Sequence, residues 1–294
     1  MRQELLNILH LNREKIIPKD IKKEYDFSVL VVPCVHRGVD PDTWESLIPL
    51  LFCKNPRIVV KFRSGDALID RSRSIVASRF LESDFDILLF IDDDIIFDPK
   101  KIGAMLQVMW KEKLDICGAP YVKKQPEKTH FAIKLLDEAP VIPFGEREGA
   151  ICEVRMISTG CMAIQRWVLQ EMADKEIVHK CHIHDAKFYP FFKPEEAQLE
   201  NGNWIYLSED WAFTERARKL GFKVWCDTSQ KLGHAGRYVY AWDDMKTKKR
   251  HHLDNGKYWE VDGTMPDFKE IEDPKEQISG VTINQPEAVI AAVK

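Results

Sequence analysis

From residue 28 onward the chain switches between two periods of apolar and polar positions. Short β-rich runs at Ser28–Val32 and Ile58–Phe62 are each closed by turn residues, Pro33 in the first case and Ser64–Gly65 in the second. Between them, Pro41 opens a helical stretch to about Cys53. Leu68, Ile69, Ile75, Val76 and Phe80 then recur at helical spacing within 67–83. Ile87–Ile91 is a continuous apolar run, as a central strand buried on both faces requires. Asp98 followed by Pro99 predicts a helix start, with Asp as N-cap and Pro at the first helical position, and that helix extends to about Lys113. A short strand near Asp115–Cys117 follows.

This βαβαβα order predicts an α/β fold: an open, mostly parallel sheet with flanking helices, in a single domain. Ligands of such sheets bind beyond the carboxyl ends of the strands, which directs attention to residues 33–38, 63–73 and 92–94. The second half is less regular. Ile151–Ile157 reads as a strand leading into Ser158-Thr159-Gly160, Gln165–Ala173 as a helix, and 179–203 as a long structured loop. Ser208 caps a helix running to Leu220, Gly221 occupies the helix-stop position, and Phe222–Cys226 is a further strand. The expected division is an N-terminal helical extension over 1–25, the main domain over 26–242, and a charged C-terminal extension or lid over 243–294. That last segment has few apolar residues at any regular period, so it is expected to move freely until a nucleotide orders it.

Composition narrows the classes. Of 294 residues, 45% are hydrophobic and 31% charged, which excludes collagen-like, disulfide-scaffold and disordered chains. The net charge of −4 gives no drive toward a nucleic-acid backbone, so no nucleic-acid partner is expected. The 7 cysteines are odd in number, widely spaced and contain no C-x-x-C pair, which points to reduced thiols and a cytoplasmic location. The apolar run at Ile87–Ile91 is far short of the roughly 20 residues that a membrane span needs. The Leu-rich start of the chain is interrupted by Glu4, Asn7 and His10, and no small-residue cleavage site follows. It reads as an amphipathic helix, either docked on the domain edge or making peripheral contact with a membrane. The basic block at 246–252 leaves three readings open: a lid over a diphosphate, a contact with an anionic membrane, or a solvated face.

The strongest chemical signal is ILLFIDDDIIF at 87–97. Three consecutive carboxylates at the end of a buried strand repel one another and are costly to desolvate unless a positive charge sits among them. Strand alternation would put Asp92 and Asp94 on one side and Asp93 on the other. Two same-side carboxylates suit a hard divalent cation, which in turn takes phosphate oxygens; a solvated loop is the alternative. In LSEDWAF, Glu209 and Asp210 open a helix whose dipole favours their ionised forms, and such a carboxylate can accept a proton from an attacking hydroxyl. In KLGHAGRYVY, His234 follows a strand between small residues and is either an imidazole metal ligand or a structural histidine. The cluster His179, Cys181, His182 and His184 lacks a second pair at zinc-finger spacing and reads as a loop beside an acceptor pocket. Tyr189, Phe191, Phe192, Trp204 and Tyr206 are either stacking residues for sugar rings or packing residues.

Taken in order, FIDDD, STGCMAI, LSEDWAFTERARKLGFKVWCD and LGHAG resemble the GT-A glycosyltransferases, most closely the family-2-type inverting nucleotide-sugar enzymes, over roughly residues 26–240. The A-R-N often found before the D-x-D in that group is represented by Arg73 followed by Ser74 in place of Asn. The resemblance implies a metal-dependent transfer of a sugar from a nucleotide-diphosphate sugar, UDP- or GDP-linked, to a hydroxyl of a glycan, lipid or protein acceptor. It implies that Asp94 ligates Mn2+ or Mg2+ on the diphosphate, with His234 completing the site and Asp92 at the ribose or metal. It also implies Asp210 as general base, with Glu209 binding the acceptor or orienting that base. Pro33, Val35, Arg37, Asp70, Arg73 and Asp93 would surround the nucleotide sugar, while Thr159 and Gly160 would let the backbone approach sugar or acceptor. Rival readings are a retaining enzyme of the same fold, a nucleotidyltransferase, and a catalytically silent nucleotide-sugar-binding protein. PCVHRGVD has a single glycine where a nucleotidyltransferase has a Gly-rich phosphate loop.

Overall fold

Alternation along two neighbouring strands decides which helices cover which face of the sheet. The computed structural model describes residues 26–36, 38–124, 131–136, 151–183, 186–198 and 202–236, and the backbone of 251–252 and 258–259. The expectations for 1–25, Arg37, His184 and most of 243–294 lie outside these residues. The chain runs β1 (Ser28–Val35), α1 (Pro41–Leu47) with a 3-10 turn over Ile48–Phe52, β2 (Arg57–Val60), β3 (Arg63–Ser64) and α2 (Ile69–Leu81). It continues through β4 (Ile87–Asp92), β5 (Ile95–Ile96), α3 (Pro99–Lys111), β6 (Ile116–Gly118), β7 (Ile133–Lys134), β8 (Ile151–Val154), β9 (Met156–Ile157) and β10 (Cys161–Gln165). Then come α4 (Arg166–Asp174), β11 (Cys181–Ile183), β12 (Ala186–Phe188), β13 (Glu195–Gln198), β14 (Trp204–Leu207), α5 (Glu209–Lys219), β15 (Val224–Asp227) and β16 (Gly233–His234). His251–His252 and Tyr258–Trp259 pair as a small antiparallel ladder.

The central sheet has the order β2-β1-β4-β10-β6-β15-β8, with β3 beside the end of β1. β2, β3 and β4 pair parallel with β1, and β15 pairs parallel with β6. β10 is antiparallel to both of its neighbours, and β8 is antiparallel to β15. The sheet is therefore mixed but mostly parallel, with helices on both faces. Leu30, Val32, Leu88 and Phe90 pack with Val76 and Phe80 of α2, Val168 and Leu169 of α4, and Phe213 of α5. The alternate residues Val29, Val31, Ile87, Leu89 and Ile91 pack with Leu47 of α1 and with Ile102, Met105 and Met109 of α3. Continuing the period of two puts Asp92 on the α2 and α5 face.

Helix ends follow their local chemistry. Asp98 caps α3, accepting the Lys100 N–H at 2.9 Å, with Pro99 at the first position. Gly221, at φ +91°, closes α5. The Gly221 N–H reaches the Arg218 carbonyl and the Phe222 N–H reaches the Ala217 carbonyl, the paired bonds of a Schellman stop. All seven cysteines are free of disulfides, and burial pushes the Cys34 and Cys152 thiols up to about 11.

Three expectations are corrected. Strand β1 does not stop at Pro33 but continues to Val35. Val31 directs its carbonyl to the Lys61 N–H, so the ring nitrogen of Pro33 faces the same edge, at the break between β2 and β3. The next ladder bond, from residue 33 to the Lys61 carbonyl, cannot form with a proline, and the pairing along this edge accordingly breaks between β2 and β3. Second, Cys161–Gln165 is a fully buried antiparallel strand that runs into α4 with no turn residue to announce it. Third, 179–203 is not one long loop but contains the β11–β12 hairpin and the first strand of the β13–β14 hairpin.

Arg166, the first residue of α4, ties α2 to the sheet. Its guanidinium donates to the carbonyls of Phe80, Leu81, Ser83 and Phe85 and lies 4.6 Å from the Phe80 ring centre. It thereby supplies donors to carbonyls of the last turn of α2 and of the loop that follows it. Arg166→Met keeps the apolar stem but strands those carbonyls, and urea unfolding should show a loss of about 2–3 kcal/mol. An unchanged midpoint would refute the clamp.

Candidate functional site

Strands β1, β4, β6 and β15 share a direction, so their carboxyl ends lie on one edge of the sheet. Because β10 is reversed, its start, preceded by Thr159 and Gly160, lies on that same edge. Asp92–Asp94, the segment after β6 and His234 after β15 consequently converge, although they are far apart in the chain. The second turn of α2 adds Arg73, and the first turn of α5 adds the pair Glu209 and Asp210.

Arg73 is buried and joins two of these elements. Its Nη2 lies 2.5 Å from Asp92 Oδ1 and its Nη1 lies 2.5 Å from Glu209 Oε1. Burial disfavours the guanidinium charge, but Asp92 and Glu209 outweigh that effect and raise its pKa, so Arg73 stays charged. Glu209 is raised, first by burial and then by the neighbouring Asp210 charge, with Arg73 opposing. The backbone of Asp92 is also fixed, its N–H donating to the Gly160 carbonyl at 3.0 Å.

The three aspartates do not alternate as a strand would arrange them, because the chain leaves β4 after Asp92 and turns through Asp93 and Asp94 into β5. Each acid finds a different partner. Asp93 Oδ2 accepts the His36 N–H at 3.1 Å, while burial and its two acidic neighbours raise its pKa. Asp94 Oδ2 pairs with the Lys124 ammonium and lies 3.5 Å from His234 Nε2. Burial opposes the Asp94 charge, yet the hydrogen bonds from His234 and Lys124 hold its carboxyl below the ordinary range. β5 and β16 pair His234 with Ile95, and the Ala235 N–H donates to the Asp94 carbonyl at 2.8 Å, which fixes the approach of the two side chains.

Of the expected metal ligands, the structure thus brings Asp94 and His234 together and gives Asp92 to Arg73. His234 Nδ1 is 2.8 Å from the Val122 carbonyl, a contact that holds the ring with Nε2 turned toward Asp94. A carboxylate beside an imidazole whose far nitrogen is held by a carbonyl is a suitable partial donor set for Mn2+ or Mg2+. Among the described residues, no group of three or more His, Cys, Asp or Glu is gathered as a complete ligand shell.

Asp210, buried in the first turn of α5, accepts the Ser208 hydroxyl and the Trp211 N–H (2.8 Å) on Oδ1. Ser208 therefore holds the carboxylate rather than capping the helix through its own oxygen. Thr159 and Gly160 are buried, and the reason for glycine at 160 differs from the expected one. A Cβ there would lie 2.4 Å from Tyr121 Cε1, so an aromatic ring and not a ligand takes the space. Pro33 is buried in β1, Val35 is half-buried at its end, and Asp70 is half-buried in α2. Ser74, standing where the resemblance expects Asn, accepts the Phe192 N–H at 3.0 Å and so docks that turn on α2. Phe191 and Phe192 are core residues, and Phe192 stacks on Phe213 at 4.4 Å. Cys181 and His182 are exposed on the β11–β12 hairpin.

Tyr121, Val122 and Lys124 escaped the sequence reading. They lie in a stretch with no readable period, and only the pair Lys123-Lys124 hinted at charge. Tyr121 packs edge-on against His234 at 5.0 Å, and Lys123 lies 5.9 Å from the Trp211 ring centre. This short segment therefore reaches both the Asp94 turn and α5.

No family model and no curated protein matches the chain. Among solved structures, A197 from STIV is similar with a TM-score of 0.43 and 17% identity, over 84% of this chain and 100% of that one. The crystal structure of GalNAc-T7 with UDP, GalNAc and Mn2+ is similar with a TM-score of 0.44 and 12% identity, over 75% of this chain and 47% of that one. At these values neither likeness says anything about activity.

Removing the central cation tests the arrangement. Arg73→Met leaves the half-buried Asp92 and Glu209 without their counter-ion and should cost about 1–3 kcal/mol near neutral pH. Glu209 already binds its proton more tightly folded than unfolded, so its ionisation removes stability as pH rises above its ordinary 4.5. Without Arg73 that penalty grows, and the difference from wild type should shrink as falling pH brings Glu209 to its protonated form. A destabilisation independent of pH, measured by denaturant titration, would contradict the electrostatic role.

Proposed function

We propose that the chain is a glycosyltransferase that moves a sugar from a nucleotide-diphosphate sugar to an acceptor hydroxyl. The observation that carries this reading is the convergence of Asp94, His234, Glu209 and Asp210, from three distant segments, at the carboxyl edge of a mostly parallel sheet. Asp94 and His234 would hold a divalent cation, which when bound supplies Lewis-acid stabilisation to a leaving diphosphate. The chain's own residues do the rest. Asp210 takes the proton of the acceptor hydroxyl at a carboxylate oxygen, and Ser208 keeps that carboxylate oriented. Glu209, locked to Arg73, sets the position of the first turn of α5 relative to the end of β4. Direct attack by the acceptor inverts the anomeric configuration.

A second reading rests on Lys124, whose ammonium already contacts Asp94. In that version the lysine itself faces the diphosphate and no divalent cation is required.

Two measurements separate and test these readings. Calorimetry of UDP and GDP binding with and without Mn2+ or Mg2+ should show metal-dependent affinity that Asp94→Ala abolishes. Full nucleotide binding and turnover in excess EDTA would instead favour Lys124.

Asp210→Asn preserves shape but cannot accept the proton, so sugar transfer should fall by roughly 10²–10⁴-fold. Nucleotide affinity should stay within about a factor of two, since removing a base for the acceptor costs little ground-state donor binding. Undiminished transfer in Asp210→Asn, or a product that keeps the donor's anomeric configuration, would reject the inverting mechanism with this base.

A further inference from the structure

The β13–β14 hairpin has two faces of opposite character. Ile205 and Leu207 turn inward with Ala197, against Met156 and Ala212. Their neighbours Trp204 and Tyr206 turn outward and are 64% and 70% exposed, the largest values among the big apolar side chains of the described residues. The antiparallel register sets Glu196 opposite Tyr206 and Gln198 opposite Trp204. The outer face is therefore a small patch of two aromatic rings, each beside one polar side chain, with both polar residues exposed. Rings at positions i and i+2 of a strand stand about 7 Å apart on the same side.

The hairpin is held firmly to the helix that begins the candidate site. Arg216 of α5, itself buried, pairs with Glu195 at 3.1 Å and donates to the Phe191 carbonyl at 2.7 Å. Leu207 at the end of β14 leads through Ser208 straight into Glu209 and Asp210. Tyr206 thus precedes the proposed base by four positions on a clamped element, and the patch is continuous in the chain with that base.

We infer that the outer face of this hairpin, Trp204 and Tyr206 with Glu196 and Gln198, is a stacking platform for pyranose rings of an oligosaccharide acceptor. A pyranose has an apolar C–H face and a rim of hydroxyls, so it matches an aromatic ring flanked by a carboxylate or an amide. A bilayer would match the rings but would have to desolvate the Glu196 carboxylate directly opposite Tyr206. Gln198 is pinned in place by its bond to the Gly202 carbonyl at 3.2 Å, so its position beside Trp204 costs little further ordering. The inference rests on the proposed transferase reading and specifies its acceptor as a glycan rather than a lipid or a bare protein hydroxyl.

The test uses the full chain and three soluble probes, maltotetraose, cellotetraose and chitotetraose. Binding is followed by the indole N–H resonance of Trp204, identified by its loss in Trp204→Phe. At least one tetrasaccharide should shift that resonance saturably. Trp204→Ala and Tyr206→Ala, read by calorimetry, should each weaken binding about tenfold, whereas Trp204→Phe should keep most of it. Both positions are exposed, and unchanged thermal melting confirms that the variants fold. If none of the probes perturbs Trp204, or if binding survives both alanine variants, the platform is wrong. Association with anionic vesicles that is lost in Trp204→Ala, without glycan binding, would assign the patch to a membrane and also overturn it. Nucleotide titration of the wild type separates the two proposals. Glycan binding at the hairpin without any nucleotide binding retains the platform and rejects the transferase. Nucleotide binding with an unresponsive Trp204 rejects only the platform.

Discussion

Between the end of the central strand and the start of α5, one buried guanidinium bridges two half-buried carboxylates. Arg73 is held there from α2, whose other inward residues, Val76 and Phe80, pack on the same sheet face as Leu88 and Phe90. Packing therefore fixes the height of the arginine, and the arginine fixes the spacing between Asp92 and Glu209. A lysine would present a single point of charge, whereas the planar fork can engage both acids at once. Breaking such a half-buried bridge costs more than a surface ion pair contributes, because the remaining carboxylates are only partly reached by water. The sheet edge and the helix carrying Asp210 are in this way held to one geometry by charge as well as by apolar contact.

The reversal of β10 is the other constraint. A purely parallel sheet would send the start of that strand to the opposite edge, and Thr159 and Gly160 would be absent from the site. Reversed, the segment delivers the Gly160 carbonyl to the Asp92 N–H and leaves room for the Tyr121 ring. Tyr121 then packs against His234, and Val122 next to it orients the same imidazole. Backbone geometry at one glycine is thereby passed to the histidine beside Asp94 through two consecutive residues.

Much of this was legible in the sequence where the signal is local. The apolar run at 87–91, the Asp98-Pro99 helix start and the Gly221 helix stop depend on neighbours in the chain, and the structure has all three. The carboxylates at 92–94 stood out because acids after a buried run are costly. Their individual partners were not legible, since alternation ends where the strand ends. Arg73 was marked through the resemblance, but nothing local says that it bridges to Glu209, 136 positions away. Lys124 and Tyr121 belong to a connection whose shape is set by tertiary contacts alone. The strand at Cys161–Gln165 is hidden because it is short and enters α4 without a breaker, so no turn residue marks where one element ends and the next begins. The β13–β14 hairpin was hidden for the opposite reason: its outward face carries the large aromatics, which blurs the usual alternation.

Each acid at the end of β4 has a partner of its own: Asp92 has Arg73, Asp93 has a backbone N–H, and Asp94 has Lys124 and His234. An incoming diphosphate, with or without a cation, must therefore exchange partners rather than fill a gap. The two internal cations differ in how readily they can do so. Arg73 is buried, forked between two acids and braced by the core, so its release would strand both carboxylates. The side chains of Lys124 and Asp94 are about a third exposed (33% and 31%), and the lysine stem is flexible, so its ammonium can pass from carboxylate to solvent or phosphate at small cost. Ligand binding on the proposed reading is accordingly a rearrangement of Lys124 around a fixed Arg73. The rigid charge preserves the distance from the end of β4 to Asp210 while the mobile one adjusts to what is bound.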